Sequence, residues 1–128
     1  MEQRYLLDSN VIIGYLAGKI PAPGMKKISE IIDNSINISV ISQVEVLRFN
    51  DTPENESIVE SFINSSTIHS LTTEIVQRTI GLCKHSKIKL PDAIIAVTAL
   101  SENLTLVTRN TVDFKNIPSL SLLNPWEI

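Results

Sequence analysis

Four acidic residues each stand next to an apolar stretch of this sequence, and their side chains could together bind one or two metal ions. They are Asp8, after residues 5–7, Glu45, after residues 36–41, Asp92, before residues 93–100, and Asp113, after residues 104–107. In open α/β sheets, ligands bind in the crevice outside the carboxyl ends of the strands. Acids gathered there would repel one another, and a bound divalent cation is the simplest reason to keep them together. The pattern therefore predicts metal-dependent chemistry on phosphate esters.

Two of these acids have a purely structural alternative at the start of a helix. Asp8 could cap the helix that follows it, although Ser9 and Asn10 could do so equally well. Asp92 follows Pro91 in the first turn of an apolar helix, where the helix dipole favours a carboxylate. The same dipole would keep Asp92 ionised, as metal binding requires.

The other two acids also have alternatives that need no metal. Ser42 followed by Glu45 matches a capping box, and Arg48 could be the ion-pair partner of Glu45. Asp113 could be an ordinary loop residue. Side chains that carry neutral oxygen atoms precede it in the same loop, namely those of Thr108 and Asn110. Because Mg²⁺ prefers oxygen ligands and keeps several waters, a few carboxylates with such neighbours suit it.

Other common catalytic patterns are absent from the sequence. His69 and His85 have no Cys or His partner at zinc-binding spacing, so we expect structural or surface roles for both. The single cysteine, Cys83, falls on an apolar face of a predicted helix and is expected in the core. The sequence has no glycine-rich phosphate loop and no Ser-His-acid arrangement.

Apolar runs alternate with helical patterns along the chain, which is typical of α/β proteins. Strands are predicted over residues 5–7, 36–41, 67–71, 105–108 and 120–123. Helices are predicted over residues 10–16, 25–34, 42–49, 54–65, 73–85 and 92–102, with Gly18 as the C-terminal cap of the first. Strands joined by helical crossovers form a parallel sheet with helices on both faces. We therefore predict an α/β fold in which a mostly parallel five-stranded sheet lies between two helical layers.

Length and charge limit the classes of function. The 128 residues suit one compact domain, so we expect a single domain over residues 1–128. A net charge of −3 and a pI of about 5.3 argue against a broad basic face for nucleic acid. No apolar run approaches the roughly 20 residues that span a bilayer, and the N-terminus does not resemble a signal peptide. We expect a cytoplasmic protein without a membrane partner.

Four segments of the chain resemble PIN domains, and more narrowly the VapC-type toxins of bacterial and archaeal toxin–antitoxin pairs. They are LDSNVII at residues 7–13, SVISQVE at 39–45, LPDAIIA at 90–96 and TRNTVDF at 108–114. The resemblance spans the whole chain, in order and with family-like spacing. The departures are mild, because Ser9 stands where many relatives have Thr and Val97 where Ala is common.

The resemblance implies a PIN-like three-layer fold and a Mg²⁺- or Mn²⁺-dependent endoribonuclease that hydrolyses phosphodiester bonds in RNA. It carries over four catalytic, metal-binding acids, namely Asp8, Glu45, Asp92 and Asp113. It also carries over three supporting residues, namely Asn10, Thr108 and Asn110. Among the acids, Asp113 is the least dependable ligand across such proteins. The resemblance further implies a homodimer, and a cognate antitoxin whose tail covers the active site in a tetramer or larger assembly.

An RNA substrate would have to approach an acidic pocket. Basic residues close to the third and fourth segments could hold its phosphate backbone, namely Lys84, Lys87, Lys89 and Arg109. The alternative for the lysines is a solvated helix end. Few aromatic residues are available to stack on bases, so we expect the protein to read RNA shape.

Three other classes of protein share parts of this pattern. Haloacid-dehalogenase-type phosphatases need a second Asp two residues after the first, and here that position is Asn10. Receiver domains need adjacent acids after the first strand, and this chain has only Asp8 there. A catalytically silent PIN-like module that acts through a protein or RNA partner is the third alternative, and the presence of all four acids argues against it.

Overall fold

The structure is a computed structural model, and it describes residues 3–128. Five short strands alternate with seven α-helices over these residues. The strands are β1 (Tyr5–Leu7), β2 (Asn37–Ser39), β3 (Thr67–His69), β4 (Thr105–Val107) and β5 (Leu122–Leu123). The helices are α1 (Ser9–Leu16), α2 (Ala22–Asn34), α3 (Val40–Leu47), α4 (Pro53–Asn64), α5 (Thr73–His85), α6 (Leu90–Ser101) and α7 (Thr111–Phe114), and a 3₁₀ turn follows at Pro125–Glu127.

All strand pairs are parallel, which confirms the predicted α/β class. Hydrogen bonds divide the five strands into two ladders, with the order β1-β4-β5 in one and β2-β3 in the other. The single five-stranded sheet of the prediction is therefore two adjacent parts, and β1 lies in contact with β2 where the two parts meet. Within the first ladder Leu7 pairs with Val107, which pairs with Leu123, so these three strands end at the same edge.

The two faces of the sheet are covered by different helices, as the three-layer prediction requires. Leu7 and Val107 belong to a core shared with residues of α1, α2, α3 and α4. Leu6 and Leu106 point the other way, into a core formed with α6 and Phe114. Side chains alternate between the faces of a strand, so one apolar run such as residues 5–7 serves both cores.

The second strand and the following helix differ from the prediction. The strand ends at Ser39 and the helix begins at Val40, because the Ser39 hydroxyl accepts a hydrogen bond from the Ile41 backbone at 3.1 Å and caps the helix. Ser42 is buried inside the helix, so the predicted capping box with Glu45 is wrong. The shift moves Glu45 from the first turn of the helix to its middle.

The structure also tests the predicted roles of Gly18, His69 and Cys83. Gly18 follows α1 with a φ of +67°, as expected for a C-terminal glycine. His69 Nε2 lies 3.0 Å from Asn37 Oδ1 on the neighbouring strand, which confirms a structural role for it. Cys83 is exposed, so its predicted place in the core is wrong. The buried residues of α5 are Ile75 and Thr79.

Among residues 3–128, no helix combines the length and apolarity needed to cross a membrane.

Candidate active site

Asp8 lies at the carboxyl end of β1 and is only 6% exposed. Its Oδ1 accepts a hydrogen bond from the Ser9 backbone at 2.8 Å, so Asp8 itself caps α1. Its Oδ2 accepts from Thr108 Oγ1 at 2.8 Å and from Asn10 Nδ2 at 3.2 Å. These three donors fix the orientation of the carboxylate. Capping and a functional role are therefore compatible for this side chain.

The loops after β1 and β4 are joined by the predicted supporting residues. Asn10 Oδ1 accepts a hydrogen bond from the Arg109 backbone at 3.1 Å, and Asn10 Nδ2 lies 3.4 Å from Thr108 Oγ1. The Asn110 backbone also donates to Thr108 Oγ1, at 3.1 Å. Asn10 and Thr108 thus act through their side chains, whereas this contact of Asn110 is made by its backbone. The parallel pairing of β1 with β4 is what places the two loops side by side.

Glu45 reaches the same site from α3, through a contact that sequence reasoning missed. Ser9 Oγ donates a hydrogen bond to Glu45 Oε1 at 2.6 Å. The sequence marked Ser9 only as a possible helix cap and as part of the segment at residues 7–13, and neither pointed to Glu45. Arg48 is not the partner of Glu45, because its guanidinium stacks on the Phe49 ring at 4.9 Å and no Glu45 ion pair occurs among residues 3–128.

Asp92 and Asp113 line an open cavity of about 450 Å³, and neither Asp8 nor Glu45 is part of its lining. Asp92 is half-buried in the first turn of α6, and Asp113 is exposed on α7. Two of the predicted RNA-binding lysines, Lys87 and Lys89, line the same cavity. The cavity therefore presents both acidic and basic groups to whatever enters it.

The four acids influence one another electrostatically. Burial raises the pKa of Asp8 above its ordinary value, the charges of Asp92 and Glu45 raise it further, and hydrogen bonds from Thr108 and Ser9 oppose the shift. Burial also raises the pKa of Asp92, and so do Asp113 and Glu45, against the opposing charge of Lys89. The one ion pair within 4.0 Å in residues 3–128 joins Glu74 to Arg78 on α5. None of the four acids is therefore neutralised by a basic side chain at that distance.

These side chains fit a hard divalent cation that keeps part of its water shell. In the described part of the chain no three carboxylate, histidine or cysteine side chains converge into a ready-made metal-binding group. Mg²⁺ is commonly held by only one or two carboxylates and retains several waters. Asp8 and Asp92 are partly desolvated, carry oxygen atoms that can bind a metal ion and lack a neutralising ion pair, so they match that mode of binding.

The raised pKa values predict how stability depends on pH and on metal ions. Each folded-state pKa lies above its ordinary value of 3.8, so ionisation of Asp8 and Asp92 destabilises the fold. This penalty is absent below the ordinary value, develops as pH rises through the raised values and is complete above them. Without divalent ions, the melting temperature of Asp8→Asn should therefore rise relative to that of the wild-type protein as pH increases.

Metal ions should reverse this difference at neutral pH. An ion present at a hundred times its Kd stabilises the wild-type fold by about 2.7 kcal/mol, which is several degrees of melting temperature. Calorimetry with Mg²⁺ or Mn²⁺ against NaCl of equal ionic strength measures the effect. An equal metal-induced gain in the Asp8→Asn variant would show that the ion binds elsewhere.

The remaining basic candidates are exposed, but they do not all lie beside the acids. Lys84 is on α5 and does not line the cavity with Lys87 and Lys89. Arg109 follows Thr108 directly, and its guanidinium lies 4.8 Å from the centre of the Trp126 ring. Lys87 and Lys89 thus line the cavity together with Asp92 and Asp113. The Arg109 backbone is bonded to Asn10, and Lys84 lies in the last turn of α5, outside the cavity lining.

A second concave surface lies between α1, α3 and α4, and we call it the apolar groove. Its volume is about 440 Å³, and its lining includes the exposed side chains of Ile13, Leu47, Phe49 and Ile58. Acidic residues stand among them, namely Asp51, Glu56 and Glu60. The groove begins on the same helix, α1, that Asp8 caps. Exposed apolar side chains grouped in this way are typical of a protein-binding surface.

Comparisons with known proteins agree with this architecture over nearly its whole length. A family model described as PIN domain matches residues 5–120. The chain is 30% identical to Ribonuclease VapC2 of Rickettsia felis, in an alignment that covers 96% of this chain and 98% of that protein.

Solved structures show the same likeness. A toxin–antitoxin complex from Klebsiella pneumoniae contains a chain with 31% identity and a TM-score of 0.77, covering 97% of this chain and 99% of that one. A chain of VapBC2 from Rickettsia felis, bound to a DNA fragment from its promoter, has 26% identity and a TM-score of 0.78, over 95% and 98% of the two chains. DNA-bound VapBC from Salmonella typhimurium contains a chain with 24% identity and a TM-score of 0.80, over 97% and 99%, which shows likeness of fold.

Proposed function

The chain belongs to the PIN domain family, and on that premise we propose that it is a metal-dependent endoribonuclease and the toxin of a toxin–antitoxin pair. The observation that carries the proposal is the buried Asp8 carboxylate, which three donors hold in place and whose pKa the charges of Asp92 and Glu45 help to raise. The name of the Rickettsia felis relative, a ribonuclease, supports RNA as the substrate. The proposed cofactor is Mg²⁺ or Mn²⁺.

Each acid has a proposed role that follows from its surroundings. Asp8 and Asp92 hold the ion most directly, because both are desolvated and lack an ion pair. Glu45, which Ser9 orients, holds the ion or a water molecule beside it. Asp113, which is exposed and lines the cavity with Asp92, completes the site more weakly. When bound, the ion lowers the pKa of the attacking water and neutralises charge that builds on the phosphate.

Incubation of the purified protein with folded RNA tests this function. With Mn²⁺ we expect internal cuts at defined positions in structured RNA, and no cuts in DNA of the same sequence or in the presence of EDTA. Mapping of the new ends identifies the substrate loop. If the folded, metal-loaded and antitoxin-free protein leaves total RNA intact, the alternative of a silent PIN-like binding module gains support.

The two lysines of the cavity are proposed to hold the RNA backbone. Replacement of Lys87 and Lys89 by Ala should weaken binding to all RNA sequences alike, because phosphate contacts carry no sequence information. Each lost phosphate contact should make the slope of the logarithm of the RNA association constant against the logarithm of the salt concentration shallower by about 0.7 to 0.9. Fluorescence anisotropy over a salt series measures this slope. The control replaces Lys19 and Lys26, which are also exposed but do not line the cavity. An equal change of slope in the control would show that the effect comes from net charge alone.

The proposed protein partner is a cognate antitoxin, and the proposed assembly is a homodimer that becomes a tetramer or larger when the antitoxin binds. The solved toxin–antitoxin complexes of similar chains support the antitoxin as the partner. We assign the apolar groove to an amphipathic helix of the antitoxin, because the groove offers apolar side chains between acidic ones. Such a helix would carry apolar residues on one face and Lys or Arg beside them.

A further inference from the structure

The C-terminal turn, residues 124–127, lies against two helices that make room for it with glycine. A Cβ atom at Gly24 on α2 would overlap the Pro125 carbonyl. A Cβ atom at Gly14 on α1 would lie 2.8 Å from Trp126 Cζ2. Glycine inside a helix is destabilising relative to alanine. Both helices thus accept glycine where this turn packs, which fixes the position of the Trp126 ring.

The same turn also holds the loop that carries Arg109. Asn124 Nδ2 donates a hydrogen bond to the Arg109 carbonyl at 3.2 Å, and the Arg109 backbone donates to Asn10 Oδ1 at 3.1 Å. The Arg109 guanidinium lies over the Trp126 ring, 4.8 Å from its centre. No acidic side chain pairs with Arg109 within 4.0 Å in the described residues. The guanidinium therefore rests on a fixed aromatic surface and keeps its N–H groups free.

Arg109 is adjacent in sequence to Thr108, whose hydroxyl donates to Asp8. Its guanidinium is thus carried by a loop that is bonded to the acidic site itself. A planar guanidinium matches two oxygens of a phosphate group, and stacking on an aromatic ring leaves its N–H edge exposed. A cation that no acidic side chain pairs with in the described residues, carried by the loop next to Thr108, is suited to a phosphate of an RNA chain that enters the site.

We propose that Trp126 is a positioning residue, which holds the Arg109 guanidinium at the rim of the site to bind an RNA phosphate next to the one that is cut. This inference rests on the proposed cleavage of RNA. The chain contains a single tryptophan, so its fluorescence reports directly on this contact.

A fluorescence titration tests the contact without cleavage. The Asp8→Asn variant is titrated with an RNA oligonucleotide that the wild-type protein cuts, and Trp126 emission and oligonucleotide anisotropy are followed together. We expect the emission to change along the same binding curve as the anisotropy, and Arg109→Gln in that background to remove the emission change. Binding by anisotropy without a change in emission would overturn the inference and leave the proposed function intact. Absence of both RNA binding and RNA cleavage would overturn both.

A kinetic comparison separates positioning from simple structural support. Trp126→Leu should raise KM by about two- to five-fold, the effect of a cation–π contact at an exposed site, with kcat nearly unchanged. Trp126→Phe keeps an aromatic surface and should recover most of the wild-type KM. Calorimetry shows whether each variant is folded. If Trp126→Leu does not fold, Arg109→Gln and Arg109→Lys replace it, because Arg109 is exposed. Equal KM values for the folded Leu and Phe variants, or for the Arg109 variants and the wild-type protein, would overturn the inference.

Discussion

Replacing Asp8 by asparagine is expected to lower the rate of RNA cleavage by more than about 100-fold. Loss of an outer partner of a metal ligand typically costs about 10- to 100-fold in metal affinity or activity, so loss of a direct ligand should cost more. Asparagine has nearly the same shape and can still accept the Ser9 N–H, but it carries no charge for a cation. Single-turnover cleavage of a mapped RNA site measures the loss.

Further variants measure how much the other residues of the site contribute to the cleavage rate. Ser9→Ala removes the hydrogen bond that orients Glu45, and Thr108→Val removes a donor to Asp8. Each substitution should therefore lower the cleavage rate by about 10- to 100-fold. Asp113→Asn should have the smallest effect of the four acids, because Asp113 is exposed. The control is Asp33→Asn, which removes an exposed acid from α2. Cleavage by a folded Asp8→Asn variant at the rate of the Asp33→Asn control would refute the proposed site.

Replacing Ile58 by aspartate is expected to weaken antitoxin binding by about 30-fold or more while RNA cleavage continues. Ile58 lines the apolar groove on α4, is 52% exposed and lies outside the acidic site. Burial of an unpaired carboxylate against an apolar helix costs at least about 2 kcal/mol, the threshold for an interface hot spot. Binding is measured by titration calorimetry with the purified antitoxin. Cleavage by the variant should then persist at antitoxin concentrations that silence the wild-type protein.

A matched substitution outside the groove controls for surface charge. Val76 on α5 is 37% exposed and does not line the groove, so Val76→Asp should leave antitoxin affinity unchanged. Sedimentation of both variants shows whether either one changes the oligomeric state. If Ile58→Asp dissociates a homodimer and keeps full antitoxin affinity, the groove is a contact between copies of this chain.

The place of Asp8 could be predicted from sequence because it depends on local pattern and on a general rule of parallel sheets. Residues 5–7 and 105–107 form the predicted strands almost without change, and they pair in parallel. Their carboxyl ends therefore meet, and Thr108 donates to Asp8 across 100 positions of sequence. The helical crossovers between the strands also predicted helices on both faces of the sheet, and a core lies on each face.

The contacts of helix sides could not be predicted in the same way. Periodicity shows that α5 has an apolar stripe, but Val76 and Ile80 add exposed apolar residues on another side, so the pattern could not place Cys83. The helix α3 begins earlier than predicted because the Ser39 hydroxyl caps it. This hydrogen bond to the Ile41 backbone outweighs the strand preference of the two β-branched residues that follow Ser39. The Ser9–Glu45 bond depends on the packing of α1 against α3, which no local pattern encodes.

We propose that the acids around Asp8 hold a divalent ion that cleavage of RNA requires. Electron paramagnetic resonance of bound Mn²⁺, recorded on the samples used for RNA cleavage, tests this proposal. Cleavage should rise in proportion to bound Mn²⁺, and Asp8→Asn should lose both the bound ion and cleavage while remaining folded. Full cleavage in EDTA, or unchanged Mn²⁺ binding and cleavage by Asp8→Asn, would contradict it.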